Sequence, residues 1–236
     1  MKLIGIIPAR MESSRLPGKP LIKIDGKTMI QRVYESVNKS MLFDKVIVAT
    51  PNMEIYDHVE VFGDVILTSN NPLNGTERVF EAYQKLDEEF DFIVNIQGDE
   101  PFIKKEQLTD IISICKKPNK ICTLVKKDKY SHNLERESIM KVVINSNNEA
   151  MYFSRSLIPY QSIKKNYLKH ICIYAYDPMT LKKIISLPQS SLEKYESLEQ
   201  LRWLENGFKV NVKITNHDSF SIDTKEDLIL AENYLN

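Results

Sequence analysis

The chain has 236 residues, 42% hydrophobic and 27% charged, with 32 basic residues balancing 32 acidic ones. That is enough apolar matter for a core, and the zero net charge argues against nucleic-acid or membrane-surface partners, which usually select a clear positive excess. Cys115, Cys122 and Cys172 lack zinc-ligand spacing and read as reduced thiols of a cytoplasmic protein; no secretory signal follows Met1, and no apolar run approaches the ~20 residues of a membrane span. In chain order, Leu3 to Pro8 reads as a short buried strand closed by proline. Thr28 to Asn38 reads as a helix with Thr28 as N-cap and Met29, Ile30, Val33 and Val37 on one face. "KVIVAT" (45–50) and "DVILT" (64–68) follow as strands, "TERVFEAYQKL" from Thr76 as a helix, and "DFIVNIQGDEP" as a fourth strand that ends in acid. After "QLTDIISICKK" the rhythm changes. "SIMKVVINSNNEAMYFSR" reads as a hairpin turning at Asn147-Asn148, "YLKHICIYAY" as a strand, and "SLEKYESLEQLRWLENG" as one helix closed by Gly207. "FKVNVKI" is a last strand, and a final helix starts near "TKEDLILAENYL".

Strands separated by helices imply βαβ units and a mostly parallel sheet. In open α/β sheets, ligands bind beyond the carboxyl ends of the strands. The loops after Pro8, Thr50, Thr68 and Gln97 should therefore share one crevice. Three of them carry notable polar residues: the opening loop "PARMESSRLPGKP", "NGTER" and "QGDEP".

"DGKT" (25–28) resembles the end of a phosphate-binding P-loop, but Leu21 stands where that pattern needs a glycine. Asp25-Gly26 reads instead as a tight turn. Arg10, Arg15 and Lys19 along the opening loop can wrap a polyphosphate, guanidinium forks meeting nonbridging oxygens and the ammonium acting as a point charge. An ordinary solvated loop would look similar. Pro17 and Pro20 should stiffen the backbone around Gly18-Lys19. Asp99, just past a buried strand, sits where a magnesium ligand belongs. Magnesium takes one or two carboxylates, so a second is expected, and Asp223 in "SIDTKED" is the candidate. Asp223 reads equally well as a helix cap. Strand alternation puts His170 on one face with Cys172, Tyr174 and Tyr176, as a satisfied core residue or a ligand contact. Helical spacing puts Glu196, Glu199, Gln200 and Trp203 on one face, with Leu192, Tyr195, Leu198 and Leu201 on the apolar side. The first face suits either solvent or a polyhydroxyl ligand.

Taken in order, "IIPARMESSRLPGKPL", "GTER", "NIQGDEP", "KVV", "YFSRSLIP", "KHICIYAY", "LEKYESLEQLRWLENG" and "DTKEDL" resemble the blocks of the 3-deoxy-manno-octulosonate cytidylyltransferases (CMP-Kdo synthetases) across essentially the whole chain. The opening and "QGDEP" blocks are shared with related sugar-nucleotide enzymes, whereas "YFSRSLIP" and "LEQLR" are specific to this family. The resemblance implies an α/β, Rossmann-like nucleotide-diphospho-sugar transferase fold. Its central sheet would be mostly parallel, with helices on both faces and a smaller β-rich sugar-binding and dimerisation part. It also implies a homodimer, CTP and Mg2+, and a reaction of CTP with Kdo that gives CMP-Kdo and diphosphate for lipopolysaccharide assembly.

The expected layout is one nucleotidyltransferase domain over 1–236. Its nucleotide part would run to about 125, its sugar and dimerisation part to about 215, and its metal-site loop and last helix to the end. By motif, Pro8, Ala9, Arg10, Arg15, Lys19, Thr76 and Arg78 fall at the nucleotide, with Arg10, Arg15, Lys19 and Asp99 catalytic. Asp99 and Asp223 fall at the metal, and Gln97, Arg155, His170, Tyr174, Glu199 and Gln200 around the sugar acid. Cys172, Ala175 and Ser221 stand where family members often have glycines, and the connector between "SLIPY" and "YLKH" is short. These departures bear on which sugar is used. The alternatives are a cytidylyltransferase for another acidic sugar, such as 8-amino-Kdo or a nonulosonate, or a nucleotide-binding module without catalysis.

Overall fold

The computed structural model describes residues 1–13, 15–116, 120–160 and 166–235. The chain divides into two compact units, Met1–Leu108 with Ser219–Asn236 and Thr109–Asp218. In the first, β1 (Leu3–Pro8) leads into the cationic loop and a miniature hairpin, β2 (Lys23–Ile24) and β3 (Lys27–Thr28). Asp25 and Gly26 turn that hairpin with φ of 45° and 77°, so "DGKT" is a turn; glycine at the second position carries the left-handed conformation without strain. Next come α1 (Met29–Lys39), β4 (Lys45–Thr50), α2 (Met53–Val59), β5 (Asp64–Leu67), α3 (Gly75–Gln84) and β6 (Phe92–Ile96), and the division between the units falls within α4 (Lys105–Ile114). β5, β4, β1 and β6 lie side by side in that order, all parallel. β1, β4 and β6 are almost wholly buried, as expected of parallel strands covered on both faces. Thr28 caps α1 by accepting from the Gln31 amide, and the helix buries Met29, Ile30, Val33, Tyr34 and Val37.

The second unit contains β7 (Ile121–Lys129), β8 (Lys141–Ile144), β9 (Ala150–Ser154), β10 (Asn166–Tyr176), α5 (Pro178–Ile185), α6 (Ser191–Glu196), α7 (Gln200–Glu205) and β11 (Val210–Thr215). It is the β-rich part. β7 pairs antiparallel with β10 and parallel with β11, while β8 pairs antiparallel with β10 and β9. The turn between β8 and β9 is the expected hairpin: Asn145 Oδ1 accepts from Asn147 and Glu149, and Asn148 takes φ 57°. The last helix, α8 (Lys225–Leu235), belongs to the first unit. Among the described residues, no helix is long and apolar enough to cross a membrane.

One expectation is corrected. The single helix over "SLEKYESLEQLRWLENG" is two, because Ser197 takes φ 52° and ends α6. Glu196 therefore belongs to one helix and Gln200 and Trp203 to the next, so they do not form one face. Tyr195, placed on the apolar side, is 84% exposed. Along β10 the register against β7 shifts between Ile171 and Tyr174, yet His170, Tyr174 and Tyr176 still oppose Val125, Thr123 and Ile121, so the expected shared face is kept. Part of the short connector, residues 161–165, lies outside the described residues.

Candidate functional site

A cavity of about 340 Å³ opens beyond the carboxyl ends of β1 and β6 in the first unit, a size suited to a small-molecule ligand. Pro8, Ala9, Arg10, Arg15, Lys19, Arg78, Gln97, Asp99 and Asp223 all line it. Their convergence follows from apolar packing beneath. Leu16 of the cationic loop, Phe102 just after Asp99, and Ile222 just before Asp223 share one cluster with Ile24, Met29 and Ala231. Ile222 N also donates to Asp99 O at 3.0 Å, which ties the two acid-bearing segments together. Gly98 completes the fit. A Cβ at this position would meet the Pro8 carbonyl oxygen at 2.8 Å, so only glycine lets the two loops approach so closely.

Charges pair across this cavity. Lys19 Nζ donates to Asp99 Oδ2 at 2.6 Å and to Asp223 Oδ1 at 2.9 Å, and Arg15 Nη2 reaches the same Asp223 oxygen at 3.1 Å. Burial alone would lower the Lys19 pKa, but the two carboxylates outweigh it and hold the ammonium charged above its usual range. Asp223 is not the cap of α8. Thr224 Oγ1 accepts from the Asp227 amide while Asp227 Oδ2 accepts from Asp223 and Thr224, a reciprocal cap that leaves the Asp223 carboxylate for the cations. Two carboxylates meeting on one cation form a hard oxygen donor set, which fits a divalent ion whose remaining sites take water and phosphate.

The N-terminus of α3 also faces the cavity, with Asn74 and Gly75 in its lining. Asn74, not Thr76, caps this helix by accepting from the Glu77 amide at 2.9 Å. Aligned peptide dipoles make such an end favourable for anions. Thr76 is buried behind it, its hydroxyl 3.5 Å from Asn95 Nδ2. Arg78 is anchored rather than free: Nη1 donates to Thr68 Oγ1 at 2.5 Å and to Ser69 O at 3.1 Å. Burial, then the nearby Arg10 charge, lowers its pKa. Gln97 Nε2 donates to Asn95 Oδ1 at 3.2 Å. Glu12, Ser13 and Asn74 also line the cavity and were not singled out within the loops that carry them. Asn74 carried a usable signal, since Asn three residues before Glu is a capping pattern.

The other candidates lie in the second unit. Arg155 is held by backbone carbonyls: Nε donates to Glu196 O, Nη1 to Glu137 O and Nη2 to Ser197 O. Among the described residues, one N–H on each terminal nitrogen is left over. Glu196 frames it further, accepting from Ser154 Oγ and from the Arg155 amide. His170 is 5% exposed and packs against Phe153 and Tyr174. The Thr123 hydroxyl donates to Ile173 O at 2.7 Å and so accepts from His170 Nε2 at 2.8 Å. That fixes the Nε2–H tautomer and leaves Nδ1 as acceptor toward Cys172 Sγ, 3.7 Å away. Burial pushes the imidazole pKa down to about 3 and that of Tyr174 well above its usual value. Gln200 is buried, with Nε2 near Met140 Sδ, and Glu199 is the N-cap residue of α7.

Residues 4–214 match the cytidylyltransferase family. The chain is 51% identical to the 3-deoxy-manno-octulosonate cytidylyltransferase of Parabacteroides distasonis, over 100% of this chain and 98% of the relative. It is 45% identical to the protein of the same name from Thermodesulfovibrio yellowstonii, over 100% and 99%. The solved structure of CMP:2-keto-3-deoxy-manno-octonic acid synthetase complexed with CTP matches with a TM-score of 0.89 at 37% identity, over 100% of this chain and 98% of that one.

Proposed function

We propose that this chain, which belongs to the 3-deoxy-manno-octulosonate cytidylyltransferase family, joins CTP to Kdo, giving CMP-Kdo and diphosphate for lipopolysaccharide assembly. The observation that carries the reading is the single cavity in which Arg10, Arg15, Lys19 and Arg78 face Asp99 and Asp223 beside the N-terminus of α3. A nucleoside triphosphate needs this concentration of positive charge, and the guanidinium groups can fork onto its nonbridging oxygens. The anomeric 2-hydroxyl of the sugar attacks the α-phosphorus in line and gives up its proton; an O–P bond forms and the bond to diphosphate breaks. No protein nucleophile is required, so the chain's work is positioning and charge neutralisation. Asp99 and Asp223 would hold Mg2+, which supplies further neutralisation of the phosphates.

Arg155, His170, Tyr174, Glu199 and Gln200 are assigned to the sugar acid on the family resemblance, as is Gln97. The two N–H groups left on Arg155 support a role toward a carboxylate. A cytoplasmic homodimer completes the reading, and the reduced thiols of Cys115 and Cys122 support the reducing compartment. The test is release of diphosphate from CTP in the presence of Mg2+ and a panel of sugar acids. Kdo should be consumed in preference to 8-amino-Kdo at equal concentration. Preferential use of the amino sugar would replace the substrate, and no release with any acid would remove the activity.

A further inference from the structure

Lys19 sits where two carboxylates converge. Its side chain is 14% exposed, against 27% for Asp99 and 15% for Asp223, so the contacts are partly shielded from water. An ammonium at 2.6 and 2.9 Å from the two acids, together with the Arg15 guanidinium 3.1 Å from Asp223 Oδ1, already balances the two negative charges of the pair. A second cation between the same oxygens would face a like charge within a few ångströms at low dielectric, which is strongly repulsive. Both cannot occupy the pair at once. The backbone under Lys19 is fixed: its amide donates to Leu16 O and its carbonyl accepts from Ile22 N, with Pro20 next in the chain. Only the flexible four-carbon stem is left to move, and a change of rotamer can carry the ammonium from the acids into the cavity. Arg15, 55% exposed and bound to the same Asp223 oxygen, can move in the same way.

We propose that Lys19 and the divalent metal are alternative occupants of the Asp99–Asp223 pair, and that an arriving triphosphate draws Lys19 away and so opens the pair to the metal. This rests on the cavity being the triphosphate site of the proposed function. Lys19, with Arg15 beside it, then serves as a counterion that keeps the two acids neutralised and close together while no nucleotide is bound. The metal enters with the nucleotide and not before it. Removing the lysine has two effects of opposite sign, weaker nucleotide binding and tighter metal binding, which loss of a purely structural residue would not produce.

The experiment uses Mn2+ as the probe on the full-length, nucleotide-free protein, with free Mn2+ followed by electron paramagnetic resonance. Lys19→Met should bind Mn2+ at least ~10-fold more tightly than wild type. Adding Asp99→Asn to that variant should abolish the gain, which locates the ion at the carboxylate pair. Lys19→Gln is measured alongside, so that a folding failure of one substitution does not decide the matter. Unchanged or weaker Mn2+ binding in the folded variant would overturn the exchange. CTP binding is titrated separately in chelator. A wild type that fails to bind CTP both there and with Mg2+ would count against the proposed function, while the nucleotide-free Mn2+ series still decides whether Lys19 and the metal compete.

Discussion

In the first unit, Lys19, Arg15, Asp99 and Asp223 pair across an open cavity. In the second, Arg202 and Glu193 pair at 3% and 9% side-chain exposure, through Nε–Oε2 at 2.8 Å and Nη2–Oε1 at 2.5 Å. The chemistry of the two pairings is the same, yet the consequences differ. A ligand can reach the first set and exchange its partners, whereas the second is sealed and holds α6 to α7 across the break at Ser197. Aromatic packing of Tyr174 and Tyr176 on Trp203 reinforces this sealed region. Function should therefore respond to charge changes in the first unit, and stability to those in the second.

The largest expected effect is on the exchangeable side. Asp99→Asn should keep the fold and lower turnover on the order of 10⁴-fold, if Asp99 is the proposed ligand of a charge-neutralising metal. Asp223→Asn should behave alike and leave the unfolding midpoint nearly unchanged, because Thr224 and Asp227 cap α8 without it. Rapid turnover by either variant would dissolve the contrast.

On the sealed side, Arg202→Met leaves Glu193 buried without its charged partner. It should lower unfolding free energy by about 3–5 kcal/mol in urea titration, with the KM for CTP unaffected in the surviving folded enzyme. A stable Arg202→Met protein would mean that the buried pair is not what holds the broken helix.

Next in size, Arg15→Ala and Lys19→Ala should each reduce kcat/KM for CTP by roughly 30- to 150-fold, equivalent to about 2–3 kcal/mol of charge-assisted contact. The effect on Kdo use should be smaller. Values within twofold of wild type would take both residues out of the triphosphate site.

The effect that is smallest at neutral pH sharpens the same contrast through acidification. Burial holds His170 at a pKa of about 3, against an ordinary value near 6.5. As pH falls from 6.5 toward 3, the unfolded chain takes up a proton that the folded protein refuses. Stability is therefore fully present above 6.5 and lost on acidification across that window, by up to about 1.4 kcal/mol per pH unit. His170→Asn should flatten this part of the stability–pH curve relative to wild type. Identical curves would show that His170 is not a buried neutral group.

Much of the first unit was legible because its strands are continuous apolar runs and its functional charges sit in the loops that end them. Continuous burial on both faces leaves little ambiguity, so β1 and β4 were found to the residue. β7 was missed because "ICTLVKKDK" is apolar for half its length and lysine-rich for the rest, a pattern that makes sense only once β10 and β11 flank it. Short α2 and α5 were missed too, each having too few turns to show a period. The break at Ser197 lies inside an apparently helical repeat, and nothing in the local residues announces a positive φ. At the site, the cations were visible but their partners were not. Lys19 and Asp223 stand 204 positions apart, and His170 and Thr123 stand 47 apart. Whether Asp223 capped a helix or faced the cavity depended on Thr224 doing the capping instead, which only the folded geometry settles.

The close approach of Gly98 to the Pro8 carbonyl has a consequence for how the site can vary. The loop that carries Asp99 and the loop that carries Arg10 rest on each other across a gap narrower than one methyl group. They are geared together: a side chain at 98 would act as a wedge and throw acid and cations out of alignment in a single move. Charges around the rim can be traded one at a time, each with a graded loss. Position 98 has no such gradation, and the mesh of the whole cavity wall depends on one hydrogen remaining a hydrogen.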